Sequence, residues 1–327
     1  MNYTHWTRTG GYCALLALLL SCGDDKISGA GKRQYEMESF HFETQEPNTL
    51  NIMFQVTDLS GKGVDDLVAA DFEIFEDGKS VSPTESSFRI RKRDTLPFSL
   101  YTFVLIDISK SIAADLDQVK AAVISLAQAP VDGQRIVILT FSDTLAEIAS
   151  VSDLPGEDAP VGVEEMRRTV NGLELGFATT NLYGAMIDGA GLMASSEWYN
   201  TTNIAQSYLI VFTDGSDTQG RHTLQEALDA LRSRNRVYSV GLGSEIEPDV
   251  LRQLGSAGFF SIDDAGQLRE KFQEIQADIV ATANSFYWLS YNSPKRGYSQ
   301  HQLLVTIKNS TTGRLEQSFS SRDFRSE

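Results

Sequence analysis

Residues 103–112 read Phe-Val-Leu-Ile-Asp-Ile-Ser-Lys-Ser-Ile. The apolar run 103–106 has the composition of a strand buried on both faces, and it ends abruptly at Asp107-Ile108-Ser109-Lys110-Ser111. One carboxylate and two hydroxyls are thereby delivered to a loop at the carboxyl end of a strand, where open α/β sheets bind ligands. Hard oxygen donors in such a loop suit a hard cation such as Mg²⁺. The Asp-x-Ser-x-Ser alternation sets Asp107, Ser109 and Ser111 on one side of an extended turn. A helix N-cap is the competing explanation, since Ser and Asp commonly precede helices. Taken alone, the pentapeptide favours the cap.

Two later stretches shift that balance. Ala178-Thr179-Thr180-Asn181-Leu182 is a polar loop entering an apolar helix, and a second buried strand, starting at Tyr208, ends in Thr213-Asp214-Gly215. Taken in this order, Asp107-x-Ser109-x-Ser111, Thr180-Asn-Leu and Thr213-Asp214-Gly215 resemble the metal-ion-dependent adhesion site of von Willebrand factor type A domains. The resemblance covers about 190 of the 327 residues. It implies that Ser109, Ser111 and Thr180 approach the ion directly, while Asp107 and Asp214 hold its water ligands and orient the hydroxyls. Thr179 is the rival for Thr180, and the Thr-Asn-Leu register selects Thr180. The implied ion is Mg²⁺, with Mn²⁺ or Ca²⁺ as the other hard candidates. The implied partner is a protein offering an Asp or Glu. Neutral hydroxyls around a divalent ion leave its charge poorly compensated, so an incoming carboxylate is attracted even at an effective dielectric of about 20.

From residue 99 the pattern is α/β. Strands are predicted near 101–108, 135–142, 145–151, 207–213, 236–242 and 258–262, with helices near 115–129, 162–173, 181–197, 223–234, 247–254 and 265–284. Such alternation gives a doubly wound, mostly parallel six-stranded sheet covered on both faces. Only Ser142-Asp143-Thr144 separates the second and third strands, which is too short for a parallel crossover. The third strand is therefore antiparallel and lies at an edge, as in the family the site resembles.

Both flanks follow a period of two. Leu50, Ile52, Phe54 and Val56 alternate with partners of the other kind. Phe72-Glu-Ile-Phe75 runs into a hairpin signal at Asp77-Gly78, and residues 286–291, 301–307 and 315–319 read as three more strands. The stretch 71–79, with Gly61-Lys-Gly before it, resembles the β segment that precedes some bacterial domains of the same family. Neither flank has enough strands for a stable sheet of its own, so the two are expected to pair as one β-sandwich into which the α/β domain is inserted. Phe286, Tyr287, Trp288 and Tyr291 are expected in its core and rim. The basic run Arg89-Ile-Arg-Lys-Arg93 reads as a strand with a solvated face. The expected domains are a signal segment 1–21, a tether 22–34, a β part 35–98, the α/β domain 99–285 and the completing strands 286–327.

Residues 14–20 are apolar but far too few to span a bilayer, and Leu19-Leu20-Ser21-Cys22 resembles a bacterial lipoprotein cleavage box with Cys22 as the acylated residue. Loss of Cys13 with the signal and acylation of Cys22 leave no thiol for a disulfide. The expected location is the bacterial cell envelope, lipid-anchored, and the outer membrane where there are two. With 44 acidic against 28 basic residues and a formal charge of −16, nucleic acid is excluded as a partner. The four histidines form no HExxH pair, and neither a G-x-S-x-G elbow nor a P-loop occurs, so an enzyme is not indicated. The expectation is an envelope lipoprotein that captures an acidic side chain through a Mg²⁺ site. The alternatives are a scaffold in which the ion only rigidifies loops and, last, a metal-dependent hydrolase.

Overall fold

The computed structural model describes residues 33–82, 86–92, 98–128, 130–152, 162–196, 198–199, 204–232, 236–295 and 299–320. The expected signal segment, Cys22 and the tether up to residue 32 lie outside them. In the central sheet, β6 (Phe98–Asp107) lies between β7 (Gln134–Phe141) and β10 (Ile204–Thr213), and all three are parallel. Beyond β10 follow β11 (Val237–Leu242) and β12 (Gly258–Ile262), also parallel, and beyond β7 lies β8 (Leu145–Ser152), antiparallel and at the edge. The expected six strands are thus present, with the short β9 (Trp198–Tyr199) paired to β10 in addition.

Alternation along β6 explains how both faces are covered. Val104 and Ile106 join a core with α1 (Leu116–Ala127), α2 (Val163–Asn171) and α6 (Leu268–Asn284). Phe103 and Leu105 join another with α3 (Leu182–Ser196), α4 (Leu224–Leu231) and α5 (Pro248–Leu254). A side chain of this size fully withdrawn from water contributes about 1.5–3 kcal/mol, so strands buried on both faces anchor the sheet. After β6 the chain moves first to β7 and only later to β10 on the other side. The crevice above the carboxyl ends of β6 and β10 is therefore the topological switch point of the sheet.

The flanking segments build two further antiparallel sheets. One has the order β1 (Tyr35–Gln45), β2 (Thr49–Asp58), β13 (Phe286–Asn292), β5 (Arg89–Lys92). The other has the order β15 (Arg314–Ser320), β14 (Gln300–Ile307), β3 (Phe72–Glu76), β4 (Lys79–Ser80). Each sheet contains strands from both sides of the α/β region. Leu50, Ile52, Phe54, Tyr287 and Leu289 from the first meet Phe72, Ile74, Leu303 and Val305 from the second in a common core. The β3–β4 hairpin turns at Asp77 (φ 50°) and Gly78 (φ 75°), the two left-handed positions of a type I′ turn.

The aromatic residues of β13 are shared out differently from the expectation. Tyr287 and Tyr291 enter the sandwich core, but Phe286 and Trp288 face the other way and belong, with Met53, to the α1/α6 core of the α/β layer. Phe40 meets the edge of Phe286 at 5.1 Å and His41 stacks on Trp288 at 6.0 Å. Both faces of this sheet are thus buried, one in each core. The bridge Thr57–Gly63 brings the following loop against α6, where a Cβ on Gly63 would lie 2.7 Å from the Thr282 Cα and 3.0 Å from the Ala281 carbonyl. Backbone cannot yield as a side-chain tip can, so Gly63→Ala is expected to destabilise by about 1–3 kcal/mol. Urea unfolding reads this directly; an unchanged midpoint would mean the loop has room to lift away.

Candidate metal site

At the end of β6 the Asp107 carboxylate is fully buried. Its Oδ1 accepts the Ser109 backbone N–H at 2.8 Å, closing an Asx turn that lifts the following residues towards the switch point. Its Oδ2 accepts the Thr213 hydroxyl at 2.6 Å, tying β6 to the end of β10. Ser109 does precede a short 3₁₀ turn, Lys110–Ala114, but its side chain caps nothing. Instead the Ser109 and Ser111 Oγ atoms stand 3.0 Å apart, and the Ser111 hydroxyl donates to Asp214 Oδ1 at 2.9 Å. Asp107, Ser109, Ser111 and Asp214 are thereby joined in one continuous cluster, and the helix-cap explanation fails for the Ser109 hydroxyl.

Thr180 is buried, and its backbone is stitched to the loop that follows Asp214. Its N–H donates to Thr218 Oγ1 at 2.8 Å, and its carbonyl accepts the N–H groups of Thr218 and Gln219. The Thr179 hydroxyl accepts a hydrogen bond from Gln219, whereas among the described residues the Thr180 hydroxyl makes none. That difference favours Thr180 as the donor left over for a ligand. Asp217 accepts the backbone N–H groups of Tyr183 and Gly220 and so ties this loop to the start of α3.

Several residues that hold the loops carried no sequence signal. Ser142, in what reads only as a tight turn, accepts the Phe177 N–H on its hydroxyl and the Asn181 N–H on its carbonyl. Asp143 accepts from Gln219 and from Arg221 at 3.1 Å, and the Asn181 amide donates to the Asp143 carbonyl. Thr213 is legible as part of Thr-Asp-Gly, but its bond to Asp107 spans 106 residues and has no local trace.

The donor set fits a small hard cation. Adjacent corners of an octahedron with metal–oxygen distances of about 2.1 Å lie roughly 3.0 Å apart. The Ser109–Ser111 separation matches that edge, and Asp214 is hydrogen-bonded behind Ser111. Among the described residues no three His, Cys, Asp or Glu side chains gather as a metal site, so the chemistry is that of hydroxyls with carboxylates behind them. Electrostatics point the same way. Burial raises Asp107 above the usual carboxylate range, and burial together with the Asp107 charge pushes Asp214 up to about 6, against the opposing Ser111 hydrogen bond. A cation among these groups relieves both penalties.

A pH dependence follows. Asp214 is raised from 3.8 in the unfolded chain to about 6, so between those values the metal-free native state binds the extra proton and its stability falls as pH rises through that window. Metal binding needs the ionised form, so affinity should drop about tenfold for each pH unit below about 6. Calorimetric titration with Mg²⁺ at pH 7.5, 6 and 5 checks this; equal affinity at all three would show that Asp214 takes no part.

An α/β sheet carrying a Ser/Thr/Asp cluster at its switch point defines a ligand-binding module of the doubly wound class. Residues 103–276 match the von Willebrand factor type A domain, and the chain belongs to that family of protein-interaction and adhesion modules. No curated protein matches the chain. Among solved structures it is similar to a von Willebrand factor type A protein from Catenulispora acidiphila, at 11% identity over 90% of this chain and 74% of that one, with a TM-score of 0.48. The ArnB paralog VWA2 from Sulfolobus acidocaldarius gives 13% identity over 89% and 75%, with a TM-score of 0.41. Proximal thread matrix protein 1 from the mussel byssus, in a structure with a zinc-occupied MIDAS motif, gives 14% over 62% and 49%, with a TM-score of 0.44. The chain spans about half the length of the mussel protein.

Proposed function

We propose that this is a cell-envelope lipoprotein, acylated at Cys22, that binds a protein partner by capturing an Asp or Glu side chain at a Mg²⁺ held by Ser109, Ser111 and Thr180, with Asp107 and Asp214 behind them. The observation that carries the reading is the 3.0 Å octahedral-edge spacing of the Ser109 and Ser111 hydroxyl oxygens in front of two desolvated carboxylates. When bound, the ion would supply a Lewis-acidic position for the partner's carboxylate. The protein's own part is to hold the hydroxyls in register. Asp107 fixes the turn from one side and Thr213 fixes Asp107 from the other. No covalent step is assigned, and the site is read as one that binds without turnover. No described helix is long and apolar enough to cross a bilayer, so attachment in this reading rests on the acyl chains.

The rim of the site supplies selectivity. Leu175 and Phe177 are two of four large apolar side chains left exposed among the described residues, Phe177 at 68%. The backbone beneath them is pinned. The Gly176 N–H donates to the Ile108 carbonyl at 2.7 Å, the Lys110 N–H to the Phe177 carbonyl at 3.2 Å, and a Cβ on Gly176 would strike the Ser142 hydroxyl at 2.5 Å. An aromatic ring is thus held in water beside the serine loop. A partner presenting an apolar residue next to its acid would cover it.

A pull-down from the source envelope with the purified chain, with and without EDTA, tests the reading. Capture that persists in the chelator would defeat it. Phe177→Ser should leave Mg²⁺ binding unchanged but weaken capture by about 1–2 kcal/mol, roughly five- to thirtyfold, if the ring is a contact of ordinary interface strength. Surface plasmon resonance against the captured partner measures that difference, and equal affinities would remove the ring from the interface.

A further inference from the structure

A groove of about 530 Å³ runs along the outer face of α1, between α2 and the first turn of α6, and it shares no residue with the metal site. Its walls carry Lys120 from α1, Arg167 and Asn171 from α2, and Arg269 from α6, against a single carboxylate, Asp117. Three cations in one groove stand out in a chain of formal charge −16. Their pairing stands out too. Elsewhere Arg221, Arg232, Arg252 and Arg314 each lie within 3.1 Å of a carboxylate oxygen. Among the described residues Arg269 has no ion pair, Lys120 donates only to the Asn171 carbonyl at 3.0 Å, and Arg167 reaches Glu164 only at 3.6 Å. Arg167 Nε is buried with no acceptor among the described residues. A half-exposed guanidinium whose nearest carboxylate is 3.6 Å away, beside two cations with unused donors, concentrates positive charge that an entering anion would compensate.

We propose that this groove binds a phosphate monoester or diester group. The planar forks of Arg167 and Arg269 match phosphate oxygens, and Lys120 keeps two N–H donors after its bond to Asn171. The lining carries a net charge of +2, three cations against Asp117, which balances a dianionic monoester and exceeds the single charge of a diester. The groove is larger than a bare phosphate ion and falls in the size range of small-molecule sites, so the ligand extends along the α1 stripe past Ile124. Two sources share this chemistry, a soluble organic phosphate and the headgroup of an anionic phospholipid.

The test uses glycerol 3-phosphate as probe on the unacylated full chain, by calorimetry and amide shift mapping in low salt. Saturable binding that moves the Asn171 resonances, weakens with salt and drops at least about tenfold in the double variant Lys120→Ala/Arg269→Ala is the expected result. Arg314→Ala, an exposed and paired cation outside the groove, should bind as the wild type does. Competition by phosphatidylglycerol vesicles, but not phosphatidylcholine vesicles, assigns the lipid source, and no competition assigns the soluble one. Undetectable binding, binding unchanged in the double variant, or a response to oligo-glutamate alone would overturn the proposal. Thermal melting of each variant separates loss of binding from loss of fold.

Discussion

Mg²⁺ at one hundred times its dissociation constant should stabilise the native chain by about 2.7 kcal/mol, and Ser109→Ala should abolish that gain. The hydroxyl is one of the two closest uncharged oxygens of the cluster, 3.0 Å from its neighbour on Ser111, and it is fully buried. Removing it takes away a ligand while leaving the Asp107 bonds to the Ser109 N–H and to Thr213 intact, because these use the backbone and a different side chain. The hydroxyl also engages the buried Asp107 carboxylate, so the metal-free variant should lose about 1–3 kcal/mol and stay folded. Differential scanning calorimetry of both proteins, with and without Mg²⁺, separates the two effects. A variant stabilised by the ion as strongly as the wild type would remove Ser109 from the coordination set. A variant unfolded without metal would show that the turn depends on that hydroxyl for its own structure. Capture of the partner should fall in step with the lost metal affinity.

How far the sequence reached depends on whether a feature is local. The run 103–106 and the Asp-x-Ser-x-Ser loop are local, and they located the switch point of the sheet because apolar continuity and an abrupt polar stop survive in any context. The antiparallel edge strand was equally legible, since three residues between β7 and β8 permit nothing else. β1 was not singled out, for a physical reason. A bulge between Ser39 and His41 shifts its parity, so Met37 and Phe42 face the same core while their spacing breaks the period of two. The direction of Phe286 and Trp288 was likewise invisible, because alternation assigns residues to two faces without saying that both faces are buried. Within the site, the Thr179–Thr180 ambiguity rested on register until Gln219 engaged the Thr179 hydroxyl. The three cations of the α1 groove come from three separate helices and had no common signature in the chain.

The largest effect on stability is expected at Trp288, a strand residue whose side chain belongs to a different layer from its chain neighbours. Its indole is fully buried among α/β core residues and carries the stacked His41 ring, while Tyr287 and Leu289 on either side enter the sandwich. Trp288→Ala leaves a cavity at the point where the two cores meet and should cost about 3–5 kcal/mol. For a chain of this size that corresponds to a fall in melting temperature on the order of 10 °C. Because β13 is bonded to β2 and β5 on its edges and is buried on both faces, the loss should be felt by both cores together. Far-ultraviolet circular dichroism should show one transition displaced as a whole. Hydrogen exchange should show protection falling both in β6 and in β14, on opposite sides of the substituted strand. The comparison variant is Leu289→Ala, which opens the sandwich core one residue away. If Trp288→Ala lowers protection only in the α/β layer and Leu289→Ala only in the sandwich, the two cores melt separately. In that case β13 is a boundary between independent units rather than the strand that couples them.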